Sequence, residues 1–312
     1  MRNSLSIVKG IQAMQGCFQK YVNMRPVDQE SHGFKPNIFV LALRTLAQLL
    51  ISLLRLNGRT RWSNEFIQAL DPKLTSKLSN GKYLTYRTGH GRLFWRATEP
   101  EGDEPLMDEW ITSFDENVIF WDVGACVGTY AMRAALQGAS VVAFEADVTN
   151  ASLLAENLAL NNLHEKILLI PLALDEESCK NVFFRRDGGS PGHALHSVSQ
   201  PSGYLEKFEG NRVPIVTLSL DDVLELWNLN QPTHIKIDVD HNELRILKGA
   251  KNILEGVSGV YVEMDTRVEE HLEIENFLSS HGFTLHKKEP EIRPFVANLA
   301  SNCLYVKNNV TL

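Results

Sequence analysis

The chain has 312 residues, 44% of them hydrophobic and 22% charged, with a formal net charge of −7, which describes a globular protein able to build a core without disulfides or metal. The negative balance, with no long Lys/Arg run, makes nucleic acid a poor first partner to expect. The cysteines Cys17, Cys126, Cys179 and Cys303 form no CxxC pair, so neither a zinc site nor a disulfide framework is expected, and scattered thiols suit a reducing cytoplasm.

The N-terminus shows no basic stretch followed by an apolar run and a small-residue cleavage site, so a signal peptide is not expected. Residues 38–56 read IFVLALRTLAQLLISLLRL, long enough to cross a bilayer. Arg44 and Gln48 fall inside this run, and a central arginine costs roughly 2.5–3.5 kcal/mol on insertion scales. Arg44, Gln48, Ser52 and Arg55 recur at helical spacing, which predicts an amphipathic helix. A packed or self-associating helix is the first expectation, and a membrane-surface helix the second. Residues 1–79 are therefore read as a helical N-terminal extension and 80–312 as the main domain. Residues 61–80 look helical and irregular. Residues 81–98, with Tyr83, Leu84 and Tyr86, then Gly89-His90-Gly91, then Leu93, Phe94 and Trp95, predict a hairpin closed by the glycine-rich turn. Residues 100–105 (PEGDEP) read as a loop.

A regular alternation of strand and helix follows. Strands are predicted at 118–122 (VIFWD), 140–145 (SVVAFE), 167–174 (ILLIPLAL), 234–239 (HIKIDV) and 259–263 (GVYVE), as short apolar runs suited to a sheet buried on both faces. Helices are predicted at 129–137, 150–160, 221–227, 243–254 and 269–280, with Gly138 and Gly282 as stops and Asp147 or Thr149 as a cap. Two further strand-like pieces, NVFFRR and VPIVTLSL, flank a Gly/Ser/Pro-rich loop. A last pair, 283–286 and 303–307, has no long helix between its members and predicts an antiparallel edge. The fold class is α/β, a mostly parallel doubly wound sheet with an antiparallel C-terminal edge.

The chemistry gathers at strand ends, where open parallel sheets bind their ligands. Asp122-Val-Gly124-Ala125-Cys126-Val-Gly128 closes the first strand. Gly124 permits a sharp turn and a close approach of backbone N–H groups, and Gly128 opens the next helix. The GxGxxG pattern is missing, and Asp122 places a carboxylate where a pyrophosphate would be repelled and the amino group of an amino-acid-like cofactor accepted. Glu145 ends the second strand, where an acid accepts both hydroxyls of a ribose. Asp175, after the third strand, is read either as a contact to an adenine amino group or as a turn acid. Strand alternation puts Lys236, Asp238 and Asp240 on one face. Asp238 is the best general-base candidate for an acceptor hydroxyl, whereas Asp240 reads better as a helix cap and His241 as a solvated histidine. Glu263 and Asp265 add carboxylates at the same edge, but no spacing fixes a metal site, and none is expected.

These motifs, in the order DVGACVG, AFEA, IKIDVDHNELRILKGA and YVE, resemble the FkbM-type methyltransferase family, over residues 80–290. The resemblance implies a Rossmann-like class I methyltransferase fold, S-adenosylmethionine as cofactor, and methylation of hydroxyl oxygens on sugars, glycans or secondary metabolites. It implies cofactor roles for the Asp122–Gly128 turn (Asp122, Gly124, Ala125, Gly128) and Glu145, and a site role for Lys236, Asp238 and Glu243. Lys236 is read alternatively as a charge partner of the local acids. The sequence departs from the family pattern at Cys126 (usually Asn), Ala146 (Pro), Asp240 (Glu) and His241 (Gly), and the last two alter the acceptor side. Loop 187–204, with His193 and His196, is a candidate lid. The expected partner is a small-molecule or glycan acceptor. The rival readings are a catalytically altered binding module and a nicotinamide-dependent oxidoreductase; the missing GxGxxG argues against the second.

Overall fold

The computed structural model describes residues 45–53, 62, 71–88, 91–98, 100–102, 104–186, 196–199, 210–239, 242–265, 269–289 and 300–308. Two compact units divide the chain, Met1–Asp71 and Pro72–Leu312. In the first, residues 45–53 form a helix. Leu46, Leu49, Leu50 and Leu53 of that helix are exposed along one stripe. Among the described residues, no helix is long and apolar enough to cross a membrane.

The second unit opens with a hairpin, β1 (Lys73–Lys77) and β2 (Tyr83–Arg87). This corrects the expected hairpin at 81–98 and, over residues 71–80, the helical reading of 61–80, of which 61 and 63–70 lie outside the described residues. The turn is made by Ser79-Asn80-Gly81, with Gly81 at φ +81°. The second half of the expected hairpin is instead helix α1 (Gly91–Thr98). Leu93 and Ala97, one turn apart, are both buried, so the apolar spacing there is that of a helix. Helix α2 (Pro105–Thr112) follows, with Pro at its first position, and buries Leu106, Met107, Trp110 and Ile111.

The strand–helix alternation is as expected. It comprises β3 (Ile119–Val123), α3 (Thr129–Gln137), β4 (Ser140–Phe144), α4 (Val148–Leu160) and β5 (Ile167–Ile170). Asp147 caps α4, accepting from the backbone N–H groups of Thr149 and Asn150. The expected strand 167–174 is broken at exposed Pro171, which removes a ladder donor. Its second part, β6 (Ala173–Leu174), leaves the main sheet and joins a smaller one with β7 (Cys179–Arg186), β8 (Ser197–Val198) and β9 (Gly210–Leu218). Helix α5 (Leu220–Leu226) is capped by Ser219. After β10 (His234–Ile237), α6 (Glu243–Lys248) is shorter than the expected 243–254: it ends at Gly249, and Ile253–Glu255 is a separate 3₁₀ turn. β11 (Gly259–Asp265), α7 (Glu269–Ser280), β12 (Phe283–Lys288) and β13 (Ala300–Lys307) complete the chain.

The main sheet has the order β12-β13-β11-β10-β3-β4-β5. Its members run parallel except β13, which is antiparallel to both β11 and β12. The antiparallel strand thus sits one place in from the edge. This is the mostly parallel, Rossmann-like α/β fold. Alternation in β3 sends Phe120 into one buried layer, with α2, α3 and α4, and sends Trp121 and Val123 into the other, with α5, α6 and α7. From β3 the chain steps one way to β4 and β5, while β10 lies on its other side. The order therefore switches at the β3/β10 boundary, and a crevice is expected at the carboxyl ends of these two strands.

Candidate functional site

Register sets the first layer of this crevice. Lys236 of β10 pairs with Asp122 of β3 on one side and with Tyr261 of β11 on the other. Parallel strands in register point equivalent side chains the same way, so the three share a face. Asp122 is fully buried and Lys236 nearly so. The Lys236 ammonium lies 3.3 Å from Asp122 Oδ1 and 3.1 Å from Asp238 Oδ2. It also lies 5.4 Å from the centre of the Tyr130 ring. One cation therefore serves two carboxylates. Burial works against the charged ammonium, but Asp238 and Asp122 outweigh it and hold Lys236 above the ordinary lysine value. Burial pushes Asp122 above the usual carboxylate range, with Lys236 pulling it back. Asp238, whose side chain is 36% exposed, keeps contact with solvent. The Lys236 ammonium and the Ala131 N–H approach Asp122 and favour its ionised form, but neither Asp122 oxygen receives a well-formed hydrogen bond. A buried acceptor left in this state is costly, and it marks a position that a ligand donor can fill.

The glycine turn supplies the second layer. Gly124 has φ +81°, and a Cβ built there would fall 2.0 Å from the carbonyl oxygen of Asp238. The turn after β3 and the turn after β10 therefore touch backbone to backbone, a contact that requires glycine. Gly128, at φ +90°, would drive a Cβ to 2.2 Å from Leu154 Cδ1. Between them Cys126 takes a left-handed conformation, φ 51°, which asparagine tolerates better than most residues. The Cys126 N–H donates to Glu145 Oε2 at 2.7 Å, and the Asp147 N–H donates to Oε1 at 2.7 Å. Glu145 is thus fixed beside the turn, and the Asn150 side chain hydrogen-bonds it as well. Burial pushes its carboxyl up to about 7, while these N–H donors favour the ionised form.

Other expected residues have different surroundings. Asp175 is fully buried, and protein donors occupy both oxygens. Arg245 Nε and the Glu176 N–H reach Oδ1 at 2.6 and 2.8 Å; Asn181 and Ser199 reach Oδ2 at 2.9 and 3.2 Å. The carboxylate ties β6, β7 and α6 together. Glu243 is buried at the start of α6 and accepts from the Val239 N–H at 3.4 Å, bracing the turn that carries Asp238. Asp240, His241, His193 and most of the candidate lid lie outside the described residues. Among the described residues, no group of three His, Cys, Asp or Glu side chains has metal-binding geometry.

Sequence reasoning missed Glu104, Tyr130 and Arg96. The Tyr261 hydroxyl donates to Glu104 Oε2 at 3.1 Å, and Tyr130 also hydrogen-bonds Glu104. No local pattern announces them, because they come from a loop, a helix start and a separate helix.

The residues 122–285 match the family model described as "Methyltransferase FkbM domain". The chain is 28% identical over 175 residues to the hexuronic acid methyltransferase AglP of Haloferax volcanii, covering 56% of this chain and 67% of that protein. Among solved structures it resembles the FkbM methyltransferase of Methylobacillus flagellatus, with TM-score 0.41 and 18% identity, over 62% of this chain and 44% of that one. It also resembles TYW2 of M. jannaschii in complex with AdoMet, with TM-score 0.42 and 12% identity, over 76% and 85% of the two chains. The chain therefore spans less than half the length of the M. flagellatus protein.

Proposed function

The chain belongs to the FkbM methyltransferase domain family, and from that premise we propose that it transfers a methyl group from S-adenosylmethionine to a hydroxyl oxygen of a sugar acid or a glycan carrying one. The observation that carries this reading is the convergence of the unsatisfied carboxylate of Asp122, the backbone-fixed carboxylate of Glu145 and the Lys236-held carboxylate of Asp238 around one glycine turn. Similarity to a hexuronic acid methyltransferase supports the sugar acid as acceptor class.

The residues fit the cofactor. Asp122 offers the carboxylate oxygen not facing Lys236 to the ammonium group of its amino-acid portion. Glu145, held by backbone donors beside the glycine turn, is the acceptor for the ribose hydroxyls. The close Gly124–Asp238 contact keeps side chains out of the space between the two turns. When bound, S-adenosylmethionine supplies an electrophilic methyl group. The work left to the protein is orientation and proton removal. Asp238 takes the proton of the acceptor hydroxyl at a carboxylate oxygen, and Lys236 holds that carboxylate in place. Glu243 acts on Asp238 only through the turn.

Titration calorimetry with S-adenosylhomocysteine tests the cofactor half. Wild type is expected to bind, and Asp122→Ala and Glu145→Ala to lose that binding. Transfer of labelled methyl to a glucuronate-bearing oligosaccharide tests the acceptor half. Asp238→Asn should keep S-adenosylhomocysteine affinity and lose roughly 10²- to 10⁴-fold in kcat. A folded wild type that binds no S-adenosylhomocysteine, or an Asp238→Asn enzyme with full turnover, refutes the corresponding half.

Glu145 also predicts a pH dependence. Burial pushes its carboxyl up to about 7, and the ionised form is the better acceptor for hydroxyls. Bound ribose favours ionisation, so affinity should be flat above pH 7. Below 7 it should weaken toward about tenfold per pH unit. Glu145→Gln should bind more weakly and show no such slope. A wild-type affinity that stays constant from pH 5.5 to 8.5 contradicts this assignment.

A further inference from the structure

Arg96 lies outside every motif discussed above, yet α1 brings it to the site. Leu93 packs against Val127 and Cys126 of the glycine turn, and Ala97 joins the core cluster that contains Ala125. Arg96 lies three residues beyond Leu93, so it shares the helix face turned toward that loop. The ionisable groups near enough to interact with its charge include Cys126, Tyr130, Asp238, Glu104 and Tyr86. The two acids among them are engaged elsewhere: Glu104 accepts from Tyr261 and Tyr130, and Asp238 faces Lys236. Among the described residues, no hydrogen bond, ion pair or ring contact engages the half-buried Arg96 guanidinium. A guanidinium withdrawn from water without partners is costly, and its planar fork of donors matches a carboxylate.

We propose that Arg96 is a carboxylate-binding residue of the methyl-transfer site, a role that rests on the reading given under Proposed function. Two carboxylates can meet it: the α-carboxylate of the cofactor's amino-acid portion and the carboxylate of a sugar acid. Packing of α1 on the glycine turn favours the first, because that turn is where the Asp122 carboxylate awaits the neighbouring ammonium group.

The test is calorimetry on wild type, Arg96→Ala and Arg96→Gln, with folding checked by thermal unfolding. The glutamine variant keeps side-chain bulk if the alanine variant fails to fold. The probes are S-adenosylhomocysteine, 5′-methylthioadenosine (the same nucleoside without the amino acid) and glucuronate added with saturating S-adenosylhomocysteine. Loss of roughly 10- to 100-fold for S-adenosylhomocysteine, with 5′-methylthioadenosine unchanged, is expected for a charge-assisted contact to the cofactor carboxylate. Unchanged S-adenosylhomocysteine with lost glucuronate binding supports the proposal and assigns the acceptor carboxylate instead. Variants that bind all three probes as wild type does, or that lose both nucleosides equally, overturn it. Wild type that binds neither nucleoside sinks the methyltransferase reading and this inference with it.

Discussion

Replacing Lys236 with methionine is expected to destabilise the protein by about 3–5 kcal/mol at pH 8, the range for breaking a buried ion pair on one side. Lys236 and Asp122 are 1% and 0% exposed, so little solvent screening reduces the effect. Without the ammonium, Asp122 is a buried carboxylate with only the poorly aligned Ala131 N–H beside it and no cation within ion-pair reach among the described residues. Its folded-state pKa, already raised by burial, should rise further. A carboxyl whose pKa is higher folded than unfolded binds more protons in the native state, so stability falls as pH rises from the unfolded value to the folded one. The destabilisation should therefore shrink toward pH 5. The double variant Lys236→Met/Asp122→Asn should recover much of the loss at pH 8. Urea unfolding at several pH values reads both effects. A single variant as stable as wild type at pH 8 would show that the ion pair contributes nothing net.

Gly124→Ala should be the most damaging glycine substitution, and Gly81→Ala provides a matched control. Both glycines sit at φ +81°, but a Cβ at Gly81 meets nothing within 4 Å, whereas one at Gly124 meets the Asp238 carbonyl oxygen at 2.0 Å. Left-handed strain alone costs roughly 1–2 kcal/mol, which is the whole expectation for Gly81→Ala. Gly124→Ala adds an overpacking cost of about 1–3 kcal/mol. The backbone has little freedom to yield there, because the Gly124 N–H donates to Phe144 and the Asp238 N–H to Val123 at 3.0 and 3.2 Å. Relief would have to come from separating the two turns, so S-adenosylhomocysteine affinity should drop by more than the stability difference implies. Equal stability losses in the two variants, with cofactor affinity intact in Gly124→Ala, would show that the close approach of the turns has no role.

The sequence by itself determined the central strands and the motif residues. β3, β4, β10 and β11 are short, mostly apolar runs with an Asp or Glu at or next to their carboxyl ends, and a strand end is a local property that period and composition report. Alternation placed Lys236 and Asp238 on one face, and the 3.1 Å ion pair between them agrees. Cys126 and Gly128, read as part of a turn, do take left-handed backbone. Other features went unread because their causes are remote in the chain. Gly89 and Gly91 look like a hairpin turn, but the true turn at Asn80-Gly81 works because Lys73–Lys77, read as helical, is its strand partner. Pro171 marked a break, but that β6 then joins β9 depends on a strand some forty residues away. Asp175 is the clearest case. Its position after a strand is the same in either reading, and only the packing of Arg245, Asn181 and Ser199 around it turned its oxygens inward. Arg96, Glu104 and Tyr130 reach the site from three separate elements. Whether a charged side chain finds a partner or stays open for a ligand depends on long-range packing, which local periodicity does not encode.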